Sequence, residues 1–238
     1  MKISTFLLRQ YLYLFMGAII LLYLFPVDGS FDLKLITPWI TQNGEFFLKR
    51  DWYLDILNHH YIKYILIFCY VSFLSIWIYS FLHKKNMTVR WDYAYFVLLV
   101  ILSTSLIGVL KSQSDHACPW DMIIPAASSY SWNFNQNHGH CFPGGHASTG
   151  FALVAGFFIY RTSQPQKAWF YLMSGLIIGS AMGWAQMMRG AHFFSHNLWT
   201  LLFTWLINVV VYQICFKTLR DTVFNFGIKA TNAIQKTH

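Results

Sequence analysis

Six long apolar runs dominate the chain, and polar residues collect between them. The runs cover residues 11–27, 64–82, 93–110, 147–160, 168–188 and 198–216. Most approach the roughly 20 residues that a helix needs to cross a hydrocarbon core about 30 Å thick. The run 147–160 is short, but it can extend back through Gly144, Gly145 and His146 if that end lies in a polar, protein-lined cavity. The pattern predicts an all-α membrane protein, a six-transmembrane-helix bundle in one domain over residues 1–238.

The first run has two interpretations. Lys2 and Arg9 precede an apolar stretch, as they would in a signal peptide. However, no cleavage site of small residues follows in the sequence PVDG at residues 26–29. The pattern therefore favours an uncleaved first helix.

Positive charges in the short connections predict the orientation. They lie at the start of the chain, between runs two and three, between runs four and five, and after run six: Lys2, Arg9, Lys84, Lys85, Arg90, Arg161, Lys167, Lys217 and Arg220. If six helices alternate, all of these charges lie on one side. The positive-inside rule then places both termini in the cytoplasm, and residues 28–63, 111–146 and 189–197 on the outer face.

Two segments lie outside this pattern of spans. In the outer segment 28–63, apolar and aromatic residues share one helical face: Trp52, Tyr53, Ile56, Leu57 and Tyr61. This spacing predicts an interfacial helix between helices 1 and 2, although a loop that leads into the second helix fits equally well. The basic tail 217–238 is predicted to extend along the cytoplasmic surface.

Composition narrows the class of protein. Of 238 residues, 56% are hydrophobic and 11% are charged, against about 25% charged in an ordinary soluble domain. So few charges could not cover the surface of a water-soluble enzyme, which excludes that class. Disordered chains and nucleic-acid binders with a basic face are excluded as well. In a membrane protein, a net charge of +8 reflects an excess of lysine and arginine in the cytoplasmic connections, so it indicates orientation.

The ionisable groups collect in three outer stretches, at residues 111–121, 138–146 and 189–196. They hold six of the ten histidines: His116, His138, His140, His146, His192 and His196. Each stretch borders a predicted span on the same side of the membrane. A six-helix bundle can therefore bring all three together.

The three stretches carry motifs at fixed spacing. Lys111 is followed, after six residues, by Cys118 and Pro119; residues 141–148 read CFPGGHAS, and residues 185–196 read AQMMRGAHFFSH. In order and spacing they resemble the K-x6-RP, PSGH and SR-x5-H-x3-D motifs of the type 2 phosphatidic acid phosphatase superfamily of membrane lipid phosphatases. The resemblance covers roughly residues 60–216. It implies six helices, with the motifs at the outer ends of helices three to six.

The motifs depart from the family pattern at charged and polar positions. Cys118 stands in place of an arginine, and Gly144 in place of a serine. Ala185 and Gln186 replace a serine and an arginine, and His196 replaces the aspartate. These departures affect the geometry with which phosphate would be bound, and they affect whether the protein can be catalytic.

The resemblance implies a role for each central histidine. His192 is the expected nucleophile and would form a phosphohistidine. His146 is the expected general acid for the departing oxygen. His196 would orient the nucleophile, one helical turn away. Asp121 or Asp115 could supply the carboxylate that position 196 lacks.

The expected phosphate ligands are Lys111, the backbone at Gly144 and Gly145, and Arg189. Arg189 is the residue most able to replace the missing arginines, because a guanidinium can bind two phosphate oxygens at once. This chemistry calls for no metal ion and no cofactor.

Cys118 and Cys141 both fall on the outer side, where an oxidising compartment permits a disulfide. Such a bridge would tie the first two motifs together. A zinc site built from these cysteines and several histidines is the competing interpretation, although only His192 and His196 have a ligand-like spacing.

The predicted function is dephosphorylation of a membrane lipid at the periplasmic face of a bacterial inner membrane. Lipid A, undecaprenyl diphosphate and glycerophospholipid phosphates fit equally well, because the motifs recognise phosphate. Two alternatives stay open: phosphate transfer between lipids, and a non-catalytic or transport role on the same scaffold. No nucleic-acid partner is expected.

Overall fold

The computed structural model describes residues 3–82, 87–136 and 139–216. Four long helices and one shorter helix account for most of this part of the chain: α1 (Ile3–Leu24), α3 (Lys63–Leu82), α4 (Met87–Ser112), α8 (Pro165–Met188) and α9 (Phe194–Val211). Four short helices lie between them: α2 (Ser30–Ile36), α5 (Pro119–Met122), α6 (Gly145–Phe151) and α7 (Ala155–Tyr160). A hairpin of β1 (Ile123–Pro125) and β2 (Tyr130–Trp132) is the small exception to the predicted all-α class.

Within the described residues, five helices are long and apolar enough to cross a membrane. They are Thr5–Leu24, Tyr53–Leu82, Arg90–Ser112, Pro165–Met188 and Phe194–Ile214. Five of the six predicted runs therefore have a membrane-spanning counterpart, which makes the chain a multi-pass membrane protein.

The remaining run, the fourth in chain order, is helical but shorter than a bilayer is thick. Residues 145–160 form α6, one 3₁₀ turn (Ala152–Val154) and α7 in succession. Nearly all of these side chains are buried against α4, α8 and α9. Because protein surrounds this segment, it does not need the length of a lipid-facing helix.

Helices α6 and α8 approach closely because two glycines face each other. A Cβ added at Gly150 would lie 2.6 Å from the Cα of Gly179. Close backbone contact of this kind is typical of helix pairs in membranes, where small residues allow tight packing. The contact holds the start of α6, with the second motif, against the helix that leads into the third motif.

The outer segment forms helix α2 and a 3₁₀ turn at Thr37–Trp39, followed by a π-helical stretch at Tyr53–Ile62. That last stretch continues into α3 as part of one long helix. The aromatic face predicted there therefore lies in the first turns of a spanning helix, and an interfacial position for it stays a prediction.

A small hydrophobic cluster joins the outer segment to the motif loops. Its buried members come from the outer segment, from the stretch that includes α5 and the start of β1, and from the end of α8 and the turn before α9: Ile36, Phe46, Ala117, Met122, Ile123, Met187 and Phe193. The outer segment is therefore packed over the motifs.

Several sequence predictions fall outside the described residues. These are the basic tail from Lys217 onward, including Arg220, together with Lys2, Lys84, Lys85 and His138. The predicted orientation rests partly on these residues and stays a prediction.

Candidate active site

Contacts between backbone and side chains bring the three motif segments together. Cys118 of the first motif and Cys141 of the second form a disulfide, with Cα atoms 5.1 Å apart. The Trp120 N–H donates to the Gly190 carbonyl at 3.0 Å, which joins the first segment to the third. The Gly144 N–H donates to the His196 carbonyl at 3.2 Å, which joins the second to the third.

The turn between α8 and α9 places the third motif. Helix α8 ends with Gly190 in the left-handed region, at φ +80°. The Gly190 N–H donates to the Met187 carbonyl, and the Ala191 N–H donates to the Gln186 carbonyl, both at 2.9 Å. This is the hydrogen-bond pattern of a Schellman motif, which needs glycine at its turning point. His192 follows directly and points into the protein.

The His192 side chain is buried, with 2% of its surface exposed. Its Nδ1 lies 2.7 Å from the carbonyl oxygen of Cys141. A carbonyl can only accept a hydrogen bond, so Nδ1 carries the proton. In the neutral ring the lone pair is therefore on Nε2, the atom that a nucleophilic histidine would use.

The orienting role of His196 stays a prediction, because the Nδ1 of His192 lies against the Cys141 carbonyl. The Nδ1–H of His192 donates to Cys141, and the two imidazole centroids lie 5.9 Å apart. His196 is fully buried, and neither of its ring nitrogens makes a hydrogen bond to any described residue. It packs instead edge to face against His116, at 4.8 Å between ring centroids.

His116 forms an ion pair with Asp28 from the outer segment. Its Nε2 donates to the Asp28 carboxylate at 2.9 Å, and its Nδ1 donates to the Ala117 carbonyl at 2.9 Å. Burial disfavours the charged ring, but the hydrogen bond and the attraction of Asp28 outweigh it, so the pKa of His116 is raised. Because both of its ring nitrogens donate to acceptors, the His116 ring holds two protons and places a positive charge beside the buried His196.

A second carboxylate of the outer segment caps helix α9. Asp32, 2% exposed, accepts a hydrogen bond from the Ser195 N–H at 2.8 Å and another from the Ser195 hydroxyl. A carboxylate at this position satisfies an N–H group that the first turn of a helix leaves unpaired. Burial raises the pKa of Asp32 to about 6, although both hydrogen bonds from Ser195 oppose the shift.

The side chain of Lys111 lies at the start of α6, where His146 is also found. A Cβ added at Gly145 would lie 3.3 Å from Cδ of Lys111 and 3.7 Å from its Nζ, so the ammonium group lies beside this glycine. His146 is the second residue of α6 and is half-buried. The ammonium group of Lys111, which comes from α4, therefore lies beside the turn of α6 that carries His146.

Gly144 has a packing role that the sequence did not predict. Its N–H donates to His196, and its carbonyl accepts from the Thr200 hydroxyl at 3.1 Å. A Cβ at this position would overlap the side-chain amide of Asn197. That amide donates to the Gly183 carbonyl at 3.2 Å, so the space that a motif serine would need is filled by a link between α8 and α9.

Arg189 contacts the outer segment. Its Nη2 pairs with the Asp55 carboxylate at 2.6 Å, and its Nε donates to the Lys49 carbonyl at 3.1 Å. Its Nη1 donates to the Gln186 side-chain oxygen at 3.1 Å. The guanidinium thus joins α8 to the outer segment, and phosphate binding by Arg189 stays a prediction.

The carboxylates named from the sequence lie at the surface. Asp121 is exposed and accepts a hydrogen bond from Trp120 Nε1 at 2.9 Å, and Asp115 is exposed as well. Two carboxylates that contact motif residues were missed by sequence reasoning: Asp28, which is half-buried, and Asp32, which is buried. Their four-residue spacing, in a segment that holds five of the nine acidic residues, was the available signal.

One group among the described residues has the composition of a metal site. Ligand atoms of Asp28, His116 and His196 lie within 4.8 Å of one another. Imidazole and carboxylate suit Zn²⁺. However, both His116 nitrogens face acceptors and hold protons, so a cation would have to displace the proton that binds Asp28.

Comparison with protein-family models matches the PAP2 superfamily over residues 92–220, more than half of the chain. The chain belongs to the PAP2 superfamily. This confirms the resemblance seen in the three motifs, and membership supports phosphatase activity on phosphorylated substrates. Neither the curated proteins nor the solved structures contain a match to the chain.

The PAP2 match includes every motif residue but excludes the outer segment. Asp28, Asp32 and Asp55 lie before residue 92. They nevertheless contact His116, Ser195 and Arg189 inside the matched region. The carboxylates that pair with these three residues therefore come from a part of the chain that the family match does not include.

Proposed function

We propose that this PAP2 protein removes phosphate from a phosphorylated membrane lipid through a phosphohistidine, without a metal ion. Lipid A, undecaprenyl diphosphate and glycerophospholipid phosphates are the candidate substrates. The observation that carries the proposal is the convergence of the three motif segments around His192, through the disulfide and the hydrogen bonds described above. Phosphoryl transfer needs a nucleophile, an acid and a cation within reach of one phosphate, and these segments carry all three.

Substrate phosphate would bind where Lys111 meets the start of α6. The ammonium group lies beside Gly145, next to His146 in the chain. A positive charge there attracts the phosphate dianion and offsets charge on its oxygens during transfer.

The first chemical step is attack on phosphorus by Nε2 of His192. The bond between phosphorus and the lipid oxygen breaks, and His146 gives its proton to that oxygen. The Cys141 carbonyl keeps its hydrogen bond from Nδ1 throughout, which supports the charge that develops on the ring.

The second step regenerates the protein. Water attacks phosphorus, His146 takes a proton from this water, and the bond from phosphorus to Nε2 breaks. Inorganic phosphate leaves, and both histidines return to their initial protonation states. No cofactor enters either step.

We place this reaction at the periplasmic face of a bacterial inner membrane, with both termini cytoplasmic. The support is the distribution of lysine and arginine among the connections between spans.

The test of the activity is release of inorganic phosphate from a panel of lipid phosphates by the purified full chain. We expect release from at least one lipid, with a rate unchanged by EDTA. A rate that EDTA abolishes and Zn²⁺ restores would contradict the metal-free mechanism.

The test of the mechanism compares His192→Ala and His146→Ala on an activated aryl phosphate and on a lipid phosphate. His192→Ala should lose both activities and form no acid-labile phosphoenzyme. His146→Ala should keep far more activity on the aryl ester, whose leaving group needs no proton. The matched control is His140→Ala, an exposed outer histidine. Equal losses for His146→Ala on both substrates would reverse the assignment.

Transfer of phosphate to an acceptor lipid is a second candidate, favoured by the burial of His192. A buried phosphohistidine is shielded from water, so an acceptor hydroxyl could compete for it. Labelled phosphate that appears on an added lipid rather than in solution would identify this reaction. Neither release nor transfer from any lipid would point to a non-catalytic role.

A further inference from the structure

The acceptor for the Nδ1–H of His192 is a backbone carbonyl held by a disulfide. The position where the family pattern has an aspartate is occupied by His196, which makes no hydrogen bond to His192. The Cys141 carbonyl, at 2.7 Å, takes the proton of Nδ1 instead. A nucleophilic histidine needs such an acceptor, because the acceptor selects the tautomer that keeps the lone pair on Nε2.

The position of this carbonyl depends on the chain around Cys141. The Cys141 N–H donates to the His116 carbonyl at 2.9 Å, and the Cys141 side chain is bonded to Cys118. Cys118 is in turn fixed at the start of α5, where its carbonyl accepts from the Asp121 N–H at 2.8 Å. The disulfide is therefore the covalent link that holds the carbonyl on the side of His192.

We infer that Cys141 is the positioning residue for the nucleophile, and that the Cys118–Cys141 disulfide holds its carbonyl against His192. The inference rests on the proposed function, in which His192 attacks phosphorus. The activity then depends on the oxidation state of these two cysteines. Reduction by dithiothreitol converts the disulfide to two thiols and the reagent to its cyclic disulfide, which releases the tether without a change at His192.

The expected effect is on the chemical step. A displacement of about 1 Å at a reacting group costs on the order of 10²-fold in rate. We expect reduction to lower kcat by about 10- to 100-fold and to leave KM nearly unchanged, because Lys111 and α6 still bind the phosphate.

The direct measurement is the ¹⁵N NMR spectrum of the imidazole nitrogens of His192 in the full chain. In the oxidised protein we expect one tautomer, with the proton on Nδ1. In the reduced protein we expect a mixture of the two tautomers. A merely structural disulfide would alter stability but would leave the tautomer unchanged.

The variants Cys118→Ser and Cys141→Ser provide the genetic test. Both break the same bond, so they should lower kcat equally, although only Cys141 carries the carbonyl. The matched control is Cys69→Ser, since Cys69 is a free cysteine in helix α3. It should keep the wild-type rate, the wild-type tautomer and the response to dithiothreitol.

Each outcome decides the inference. An unchanged tautomer and an unchanged kcat after reduction would overturn it, and so would a loss confined to KM. If the serine variants fail to fold, the reduction of folded wild-type protein gives the same comparison. Failure of the proposed function is distinguishable, because a chain that releases no phosphate in any state can still show the change of tautomer.

Discussion

The buried carboxylate of Asp32 should make the stability of this protein depend on pH. Its pKa is about 6 in the folded chain, against an ordinary 3.8, because burial disfavours the charged form. The folded state therefore binds this proton more tightly than the unfolded state does. The stability that the proton contributes is fully present below about pH 4 and is lost as the pH rises through 6.

The size of the effect follows from the difference between the two pKa values. A shift from 3.8 to about 6, at about 1.4 kcal/mol for each pH unit, gives about 3 kcal/mol near pH 7. Asp32→Asn removes the charge and keeps an oxygen for the Ser195 N–H. We therefore expect the variant to match wild type near pH 4 and to be more stable by up to about 3 kcal/mol at pH 7.5.

The assay is thermal unfolding in detergent, followed through the fluorescence of the ten tryptophans between pH 4 and 7.5. For a chain of this size, 3 kcal/mol corresponds to a difference of about 6–12 °C in melting temperature. The raised pKa of His116 gives a pH effect of the same sign, so the informative quantity is the difference between variant and wild type.

The control for Asp32→Asn is Asp115→Asn, which changes an exposed carboxylate of the outer loop. This variant should follow the wild-type pH profile. If Asp32→Asn is instead less stable than wild type, by an amount that grows as the pH rises from 4 to 7.5, the charged carboxylate is stabilised at the start of α9. Burial would then not be the dominant effect, and the reasoning would be refuted.

Two other contacts can be tested by double-mutant cycles. Arg189→Gln and Asp55→Asn should each lower the melting temperature, because both break the same ion pair. We expect a coupling free energy of about 0.5–3 kcal/mol between the two substitutions. Strictly additive losses would show that the ion pair contributes nothing to stability. Gly144→Ser, which restores the motif serine, should destabilise the protein by about 1–3 kcal/mol through overlap with Asn197, and Asn197→Ala should remove that penalty. An unchanged melting temperature for Gly144→Ser would contradict the overlap.

The long helices could be predicted because length and apolarity are local properties of a sequence. All five spanning helices begin before the corresponding apolar runs do, since helical residues such as Arg90 and Pro165 are polar or proline and were not counted in the runs. The segment 145–160 was harder to interpret. Its burial depends on neighbours such as Gly179, which lies far along the chain, so the local sequence pattern does not indicate that burial.

Some parts of the candidate site could likewise be predicted from the sequence, and other parts could not. His146 and His192 could be found because their motifs are short and contiguous. The partners of those motifs could not, because Asp32 lies 163 residues before the Ser195 that it caps. The ion pair of Arg189 with Asp55 could not be predicted for the same reason, since nothing in the third motif indicates it.

The departures from the PAP2 motifs coincide with contacts from elsewhere in the chain. Where the first motif lacks its arginine, Cys118 is bonded to the residue whose carbonyl accepts the His192 proton. Where the third motif lacks its arginine, the Gln186 side chain accepts from Arg189, which keeps a guanidinium within one helical turn.

Where the third motif lacks its aspartate, negative charge enters from the outer segment. Asp28 pairs with His116, which packs against His196, and Asp32 caps the residue before His196. Both carboxylates lie outside the matched residues 92–220. When a motif loses a charged residue, a charged residue from a neighbouring element can keep the local charge balance. The outer segment and the altered motifs therefore form one electrostatic unit. A substitution at Asp28 or Asp32 should therefore affect the site as a change within the motifs would.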